Sequence, residues 1–230
     1  MTTIPGNLQH VRARIATACQ RAGRGVEEVT LLAVSKTFGA DAVRAAAAAG
    51  QRAFGENYIQ EGVDKIVALR DLGLTWHCIG TIQSNKTRLV AEHFDWVHTV
   101  DRLKIAERLS AQRPADRPPL NVCIQVNIDG GANKSGVAPG EALALARAVA
   151  ALPQLKLRGL MSIPEIAPDF EAARAVHAGA RALFDQLNAD GLGLDTLSMG
   201  MSDDLEAAIA AGSTMVRIGT AIFGSRAPKP

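Results

Sequence analysis

Thr30-Leu31-Leu32-Ala33-Val34-Ser35-Lys36-Thr37 is a short apolar run that ends in a lysine. Leu32, Val34 and Lys36 share one parity of a strand, so a face that starts apolar finishes with an ammonium at the strand's C-terminal end. A lysine there either snorkels to solvent or stands at the mouth of an apolar site. In the second case desolvation lowers its pKa and the amine can form a Schiff base with a carbonyl compound. The rest of the chain decides between the two.

On the N-terminal side, Leu8 to Ala22 reads as a helix stopped at Gly23 and Gly25. Beyond Lys36 comes an alanine-rich helix from Ala40 to Ala49, then a short strand Arg52-Ala53-Phe54 and a turn at Gly55-Glu56. A helix follows from Tyr58 to about Asp71, with Asn57 as its cap and Gln60 placed as in a capping box. The alternation continues with strands at Thr75–Gly80, Trp96–Val100, Asn121–Asn127, Lys156–Ser162, Thr196–Met199 and Met215–Ile218. Between them lie helices from Ser84 to about Glu92, Arg102 to Gln112, Gly140 to Ala151, Phe170 to Asn188 and Asp203 to Ala211. Arg113–Pro119, rich in proline, reads as a surface loop. Eight strands separated by helices imply a parallel sheet with helical crossovers, and eight is the number that closes a (β/α)8 TIM barrel. The alternative is a doubly wound open sheet. Both place a ligand at the strands' C-terminal ends, where Lys36 sits. One domain over residues 1–230 is expected, with a first helix at about 8–22 and a disordered tail at 225–230.

Composition excludes several classes. With 230 residues, 47% of them hydrophobic, the chain can bury a full core. A formal charge of +2 and 4% aromatic residues give neither a basic surface nor a stacking platform for nucleic acid. Cys19, Cys78 and Cys123 are too scattered for a disulfide framework and read as core residues of a protein from a reducing compartment, the cytoplasm. No apolar run is long enough for a membrane span, and the arginines of Val11–Arg24 read as part of an ordinary first helix.

Among polar residues, Arg217 stands inside the apolar strand Met215-Val216-Arg217-Ile218, where a guanidinium needs an acceptor, either a core carboxylate or a ligand. Gly219 and Thr220 follow it with the composition of a phosphate cradle, at the place where barrels often hold phosphate. Ser202 at the end of the seventh strand is either a helix cap or a phosphate contact. If it holds phosphate, Asp203 and Asp204 must point away. Gly130-Gly131-Ala132-Asn133-Lys134-Ser135 lacks the glycine before the lysine of a Walker A loop, so Lys134 reads as a solvated loop residue. The five histidines show no metal spacing, and no G-x-S-x-G elbow supplies a serine nucleophile.

Taken together, Ala33-Val34-Ser35-Lys36-Thr37, Phe54-Gly55-Glu56-Asn57, His77-Cys78-Ile79-Gly80 with Gln83-Ser84-Asn85-Lys86, Gly159-Leu160-Met161, Ser198-Met199-Gly200-Met201-Ser202-Asp203-Asp204 and Val216-Arg217-Ile218-Gly219-Thr220 resemble one family, in family order from about Leu8 to Arg226. It is that of the pyridoxal phosphate homeostasis proteins of the YggS/PROSC type, similar to the barrel domain of alanine racemases. The resemblance implies a TIM barrel of PLP fold type III in which Lys36 carries pyridoxal 5'-phosphate (PLP) as a covalent aldimine. By the same resemblance Arg217 faces the pyridine nitrogen, Ser202, Gly219 and Thr220 hold the phosphate, and Asn57 lies beside the ring. A ring nitrogen facing Arg217 is not readily protonated, which makes the cofactor a weak electron sink. Racemisation also needs a second acid/base, which similar racemases take from a separate C-terminal domain. Tyr58, the one tyrosine here, is expected to pack against the barrel. The expected role is therefore a monomeric PLP carrier in intracellular vitamin B6 homeostasis that supplies apo PLP-dependent enzymes. A minimal PLP-dependent racemase is the alternative, and a second PLP at Lys134 is left open.

Overall fold

A computed structural model describes residues 3–131 and 134–225. The strands are β1 (Thr30–Val34), β2 (Ala53–Glu56), β3 (Thr75–Cys78), β4 (Trp96–Val100), β5 (Leu120–Gln125), β6 (Leu155–Met161), β7 (Thr196–Ser198) and β8 (Met215–Ile218). They pair in chain order, all parallel, and β8 closes on β1 with Leu32 opposite Arg217 and Ala33 opposite Ile218. The barrel reading therefore holds and the open sheet does not. That closing register brings the chain beyond Val34 and the chain beyond Ile218 to one rim.

Helix α1 (Ile4–Arg21) precedes the barrel. The other helices are α2 (Ala40–Ala48), α3 (Ile59–Ala68), α4 (Thr87–His93), α5 (Leu103–Gln112), α6 (Ala142–Ala150), α7 (Phe170–Ala189), α8 (Leu205–Ala210) and the single turn α9 (Thr220–Phe223). Helix α1 starts before the expected Leu8 because the Thr3 hydroxyl accepts the Gly6 N–H and proline occupies the first turn. Its buried Leu8, Val11, Ile15, Ala18 and Cys19 form one stripe at helical spacing. The main core lies between the strands' outer faces and the helices; Leu32, Val34, Ile79 and Met215 form a separate small apolar cluster.

Several boundaries differ from the sequence reading. Strand β1 ends at Val34, not Lys36: Ser35 N–H still donates to Gly55 O, but Thr37 takes φ 70° and turns the chain. Gly55-Glu56 is not a turn but the end of β2, paired with His77 and Cys78 of β3. Asn57 does not cap α3; Tyr58 is the N-cap, and the Gln60 amide donates to Asp64 instead. Ser84 opens a 3-10 turn ahead of α4. Arg113 is buried, donating to the Ala91, Phe94 and Pro118 carbonyls, so the proline-rich loop is anchored. The tail assigned to 225–230 lies, beyond Ser225, outside the described residues. No helix among the described residues is long and apolar enough to cross a membrane.

Candidate functional site

At the C-terminal mouth of the barrel a cavity of about 210 Å³ is lined by Val34 and Lys36 after β1, Asn57 after β2, Ile79 after β3 and Ile163 after β6. Met201, Ser202 and Asp203 after β7, Arg217 of β8, and Gly219 and Thr220 complete it. All six residues singled out from the sequence, Lys36, Asn57, Ser202, Arg217, Gly219 and Thr220, thus face one space. A neighbouring cavity of about 220 Å³ shares Asn57, Ile79 and Ile163 and adds Gln125, Thr99 and Lys134.

Arg217 is buried, and its protein acceptors are two carbonyls and a hydroxyl, not the core carboxylate that was one of the two alternatives. Nη1 donates to Ser198 O at 2.7 Å and Ser198 Oγ at 2.8 Å, and Nη2 donates to Ser162 O at 2.9 Å. Burial lowers its pKa to about 10, which leaves it a cation and a pure donor at neutral pH. Three bonds use both Nη1 hydrogens and one on Nη2. Of a guanidinium's five N–H groups, two are left for a ligand.

Behind Arg217 a polar chain runs into the barrel. His98 Nδ1 lies 2.9 Å from Ser198 Oγ, and His98 Nε2 lies 2.9 Å from His77 Nδ1. Ser198 Oγ accepts from Arg217 and keeps a second lone pair and one hydrogen, so it pairs with His98 Nδ1 in either tautomer, and the His98–His77 bond runs in opposite directions in the two. Burial lowers the pKa of His77 to about 3 and holds that of His98 well below the usual range, so both rings are neutral. His77 stacks on Trp96, which Arg158 covers from 4.5 Å. None of these side chains was given a role from the sequence, although His98 at a central position of an apolar strand is a signal of the same kind as Arg217.

On the other side of the cavity, Gly219 owes its identity to packing as well as to the cavity: a Cβ there would stand 3.2 Å from Val34 O. Thr220 opens α9 directly after it. Ser202 is not a helix cap; Asp204 is the N-cap of α8, and its carboxylate accepts from Met201 N at 2.6 Å and meets His177 Nε2 at 2.9 Å. Asp204 thus turns away, as a phosphate contact at Ser202 requires, whereas Asp203 stays in the cavity lining. The Ser202 loop is held from α1, where Arg14 donates to Ser202 O at 3.0 Å while gripping Glu206 with two bonds of 2.9 Å.

Asn57 Oδ1 is buried without a partner, an acceptor awaiting a donor. Its backbone is fixed by Gly80, where a Cβ would fall 2.1 Å from Asn57 O. Lys134 is a loop residue whose side chain stays 25% exposed, with Nζ donating to Ile163 O at 2.9 Å and lying 3.5 Å from Asp129. One expectation fails. Tyr58 is 55% exposed instead of packed. The three cysteines are buried and free, as expected, and the described residues hold no cluster of three or more groups suited to a metal ion.

Comparison with known proteins identifies the chain's relatives. The alanine racemase N-terminal domain family matches residues 6–227. The pyridoxal phosphate homeostasis protein of Pseudomonas aeruginosa is 63% identical over 98% of this chain and 97% of its own length. That of Escherichia coli K12 is 59% identical over 98% of each. PipY of Synechococcus elongatus, solved with PLP bound, superposes with a TM-score of 0.80 at 39% identity, covering 91% of this chain and 100% of that one. The chain therefore belongs to the alanine racemase N-terminal domain family and, within it, to the pyridoxal phosphate homeostasis proteins.

Proposed function

We propose that this protein holds PLP on Lys36 and passes it to apo PLP-dependent enzymes, keeping the cofactor in balance rather than turning over a substrate. The observation that carries this reading is the meeting of Lys36, Asn57, Ser202, Arg217, Gly219 and Thr220 in one cavity. The residues also fit the group: Arg217 has two N–H groups to spare, and Asn57 Oδ1 is a buried atom without a partner. When bound, PLP supplies an aldehyde that condenses with the lysine amine to a Schiff base, releasing water.

In this reading Lys36 is the covalent anchor and Arg217 donates to the ring nitrogen. A donor that stays charged keeps that nitrogen unprotonated, which weakens carbanion chemistry and favours carriage over racemisation. Thr220, with Gly219 at its back, and Ser202 hold the phosphate through hydroxyl and peptide N–H groups. Arg14 keeps the Ser202 loop in place, and Asn57 lies beside the ring. The racemase alternative gains no support from Tyr58, which is exposed and outside the cavity lining. The relatives' names, as homeostasis proteins, favour the carrier role. One barrel domain spanning residues 1–230, monomeric and cytoplasmic, carries that role.

The test is the absorption spectrum of the purified protein with PLP before and after borohydride, followed by mass mapping of the labelled peptide and activation of an apo-enzyme by the loaded protein. A visible band, lost on reduction with the label on Lys36, and reactivation of the apo-enzyme are the expected results. Absence of a label on Lys36 refutes the anchor; turnover of L- to D-alanine lost in Lys36→Ala refutes the carrier role.

A further inference from the structure

Both sequence neighbours of Lys36 are tied to one buried cation, Ser35 directly and Thr37 through Glu61. Lys65 of α3, its side chain 6% exposed, donates to Ser35 O at 2.8 Å, Glu56 Oε1 at 2.7 Å and Glu61 Oε1 at 2.7 Å. Those three bonds use all the ammonium hydrogens. The same Glu56 Oε1 accepts from Ser35 Oγ at 2.5 Å, and the same Glu61 Oε1 accepts from Thr37 N at 2.6 Å. Thr37 takes φ 70°, a backbone conformation rare for a β-branched residue that persists only where the surroundings impose it. An ion pair serving only to dock α3 on β2 needs Glu56 alone. Here the cation also holds a carbonyl of the Lys36 turn, and its two carboxylates hold that turn's hydroxyl and peptide N–H.

We propose that Lys65 is a positioning residue: with Glu56 and Glu61 it clamps Ser35 and Thr37, imposes the left-handed turn, and so aims Lys36 into the barrel mouth. Lys65 never touches the cofactor and acts through Lys36. The inference rests on the reading of Lys36 as the cofactor lysine. Because the clamp bears on the amine and not on the ring or phosphate contacts, it governs formation and release of the covalent link while leaving non-covalent holding intact.

Two ligands separate those effects, PLP and pyridoxine 5'-phosphate, which keeps the ring and phosphate but has no aldehyde. Appearance of the visible band after mixing with PLP reports the covalent step, and equilibrium titration with pyridoxine 5'-phosphate reports the rest. In Lys65→Met the covalent step is expected to slow by about tenfold or more, the scale a misplaced reacting group produces, with pyridoxine 5'-phosphate affinity within about twofold of wild type. Glu61→Ala removes the Thr37 acceptor at a partly exposed position while leaving the buried Lys65–Glu56 pair in place, and is expected to slow the same step to a smaller degree. Adding Thr37→Gly, which takes positive φ without strain, is expected to restore part of the rate in either background. An unchanged covalent rate in Glu61→Ala, or a parallel fall for both ligands, overturns the proposal in favour of a purely structural ion pair. Absence of borohydride label on Lys36 in the wild type overturns the Lys36 assignment itself, an outcome distinct from any of these.

Discussion

The two neutral imidazoles behind Arg217 make stability depend on pH in a way that can be worked out. In the unfolded chain each histidine titrates near its ordinary value of about 6.5. In the fold, burial holds His77 down at about 3 and His98 well below its usual range. A group whose folded pKa is depressed contributes stability that is fully present above its unfolded pKa and is lost as pH falls toward the folded value. Between about pH 7 and pH 5 each unfolded imidazole takes up about three quarters of a proton while folded His77 takes almost none, which costs about 2 kcal/mol for His77, and His98 adds to the loss in the same direction. Glu56 works in the opposite sense, because burial raises its pKa and it gains a proton more readily when folded. The comparison is therefore with His77→Gln/His98→Asn, which keeps amide hydrogen-bonding groups but cannot titrate, so the contribution of Glu56 cancels. Urea unfolding of both proteins at the two pH values is expected to show the wild type losing at least about 2 kcal/mol more than the variant. Parallel pH dependence, within about 1 kcal/mol, would refute the account of neutral buried rings.

Three further outcomes test the site. Arg217→Met is expected to leave PLP reducible onto Lys36 but to change its absorption and loosen it; an unchanged spectrum and affinity would exclude contact with the ring. Thr220→Val should weaken PLP binding by about 1 to 3 kcal/mol, the range for a hydrogen bond to a charged group, and an unaltered Kd would move the phosphate elsewhere. In Gly80→Ala the new Cβ meets the Asn57 backbone at 2.1 Å. Denaturation is expected to show a loss of about 1 to 3 kcal/mol, and titration a weaker hold on PLP; full retention of both would separate Asn57 from the cofactor.

Local chemistry along the chain determined the eightfold alternation of strands and helices, the lysine that follows the first strand, and the arginine that no apolar strand leaves unanswered. Each is legible because strand and helix periods, glycine stops and a charge among apolar residues are properties of neighbours in sequence. The i,i+4 spacing of Glu61 and Lys65 on α3 is a local signal of the same kind, to which no role was given from the sequence. What answers Arg217 was not legible, since it is met by Ser198 and Ser162, and through Ser198 by His98, a hundred residues away. Arg14 reaches the Ser202 loop across 188 residues, and Glu56 leaves its expected turn for a strand because β3 pairs with it and Lys65 compensates its charge. Closure of the sheet, with Leu32 opposite Arg217, decided which of these polar groups meet. A buried donor or acceptor must be satisfied, but which partner satisfies it depends on strands brought together only when the barrel closes.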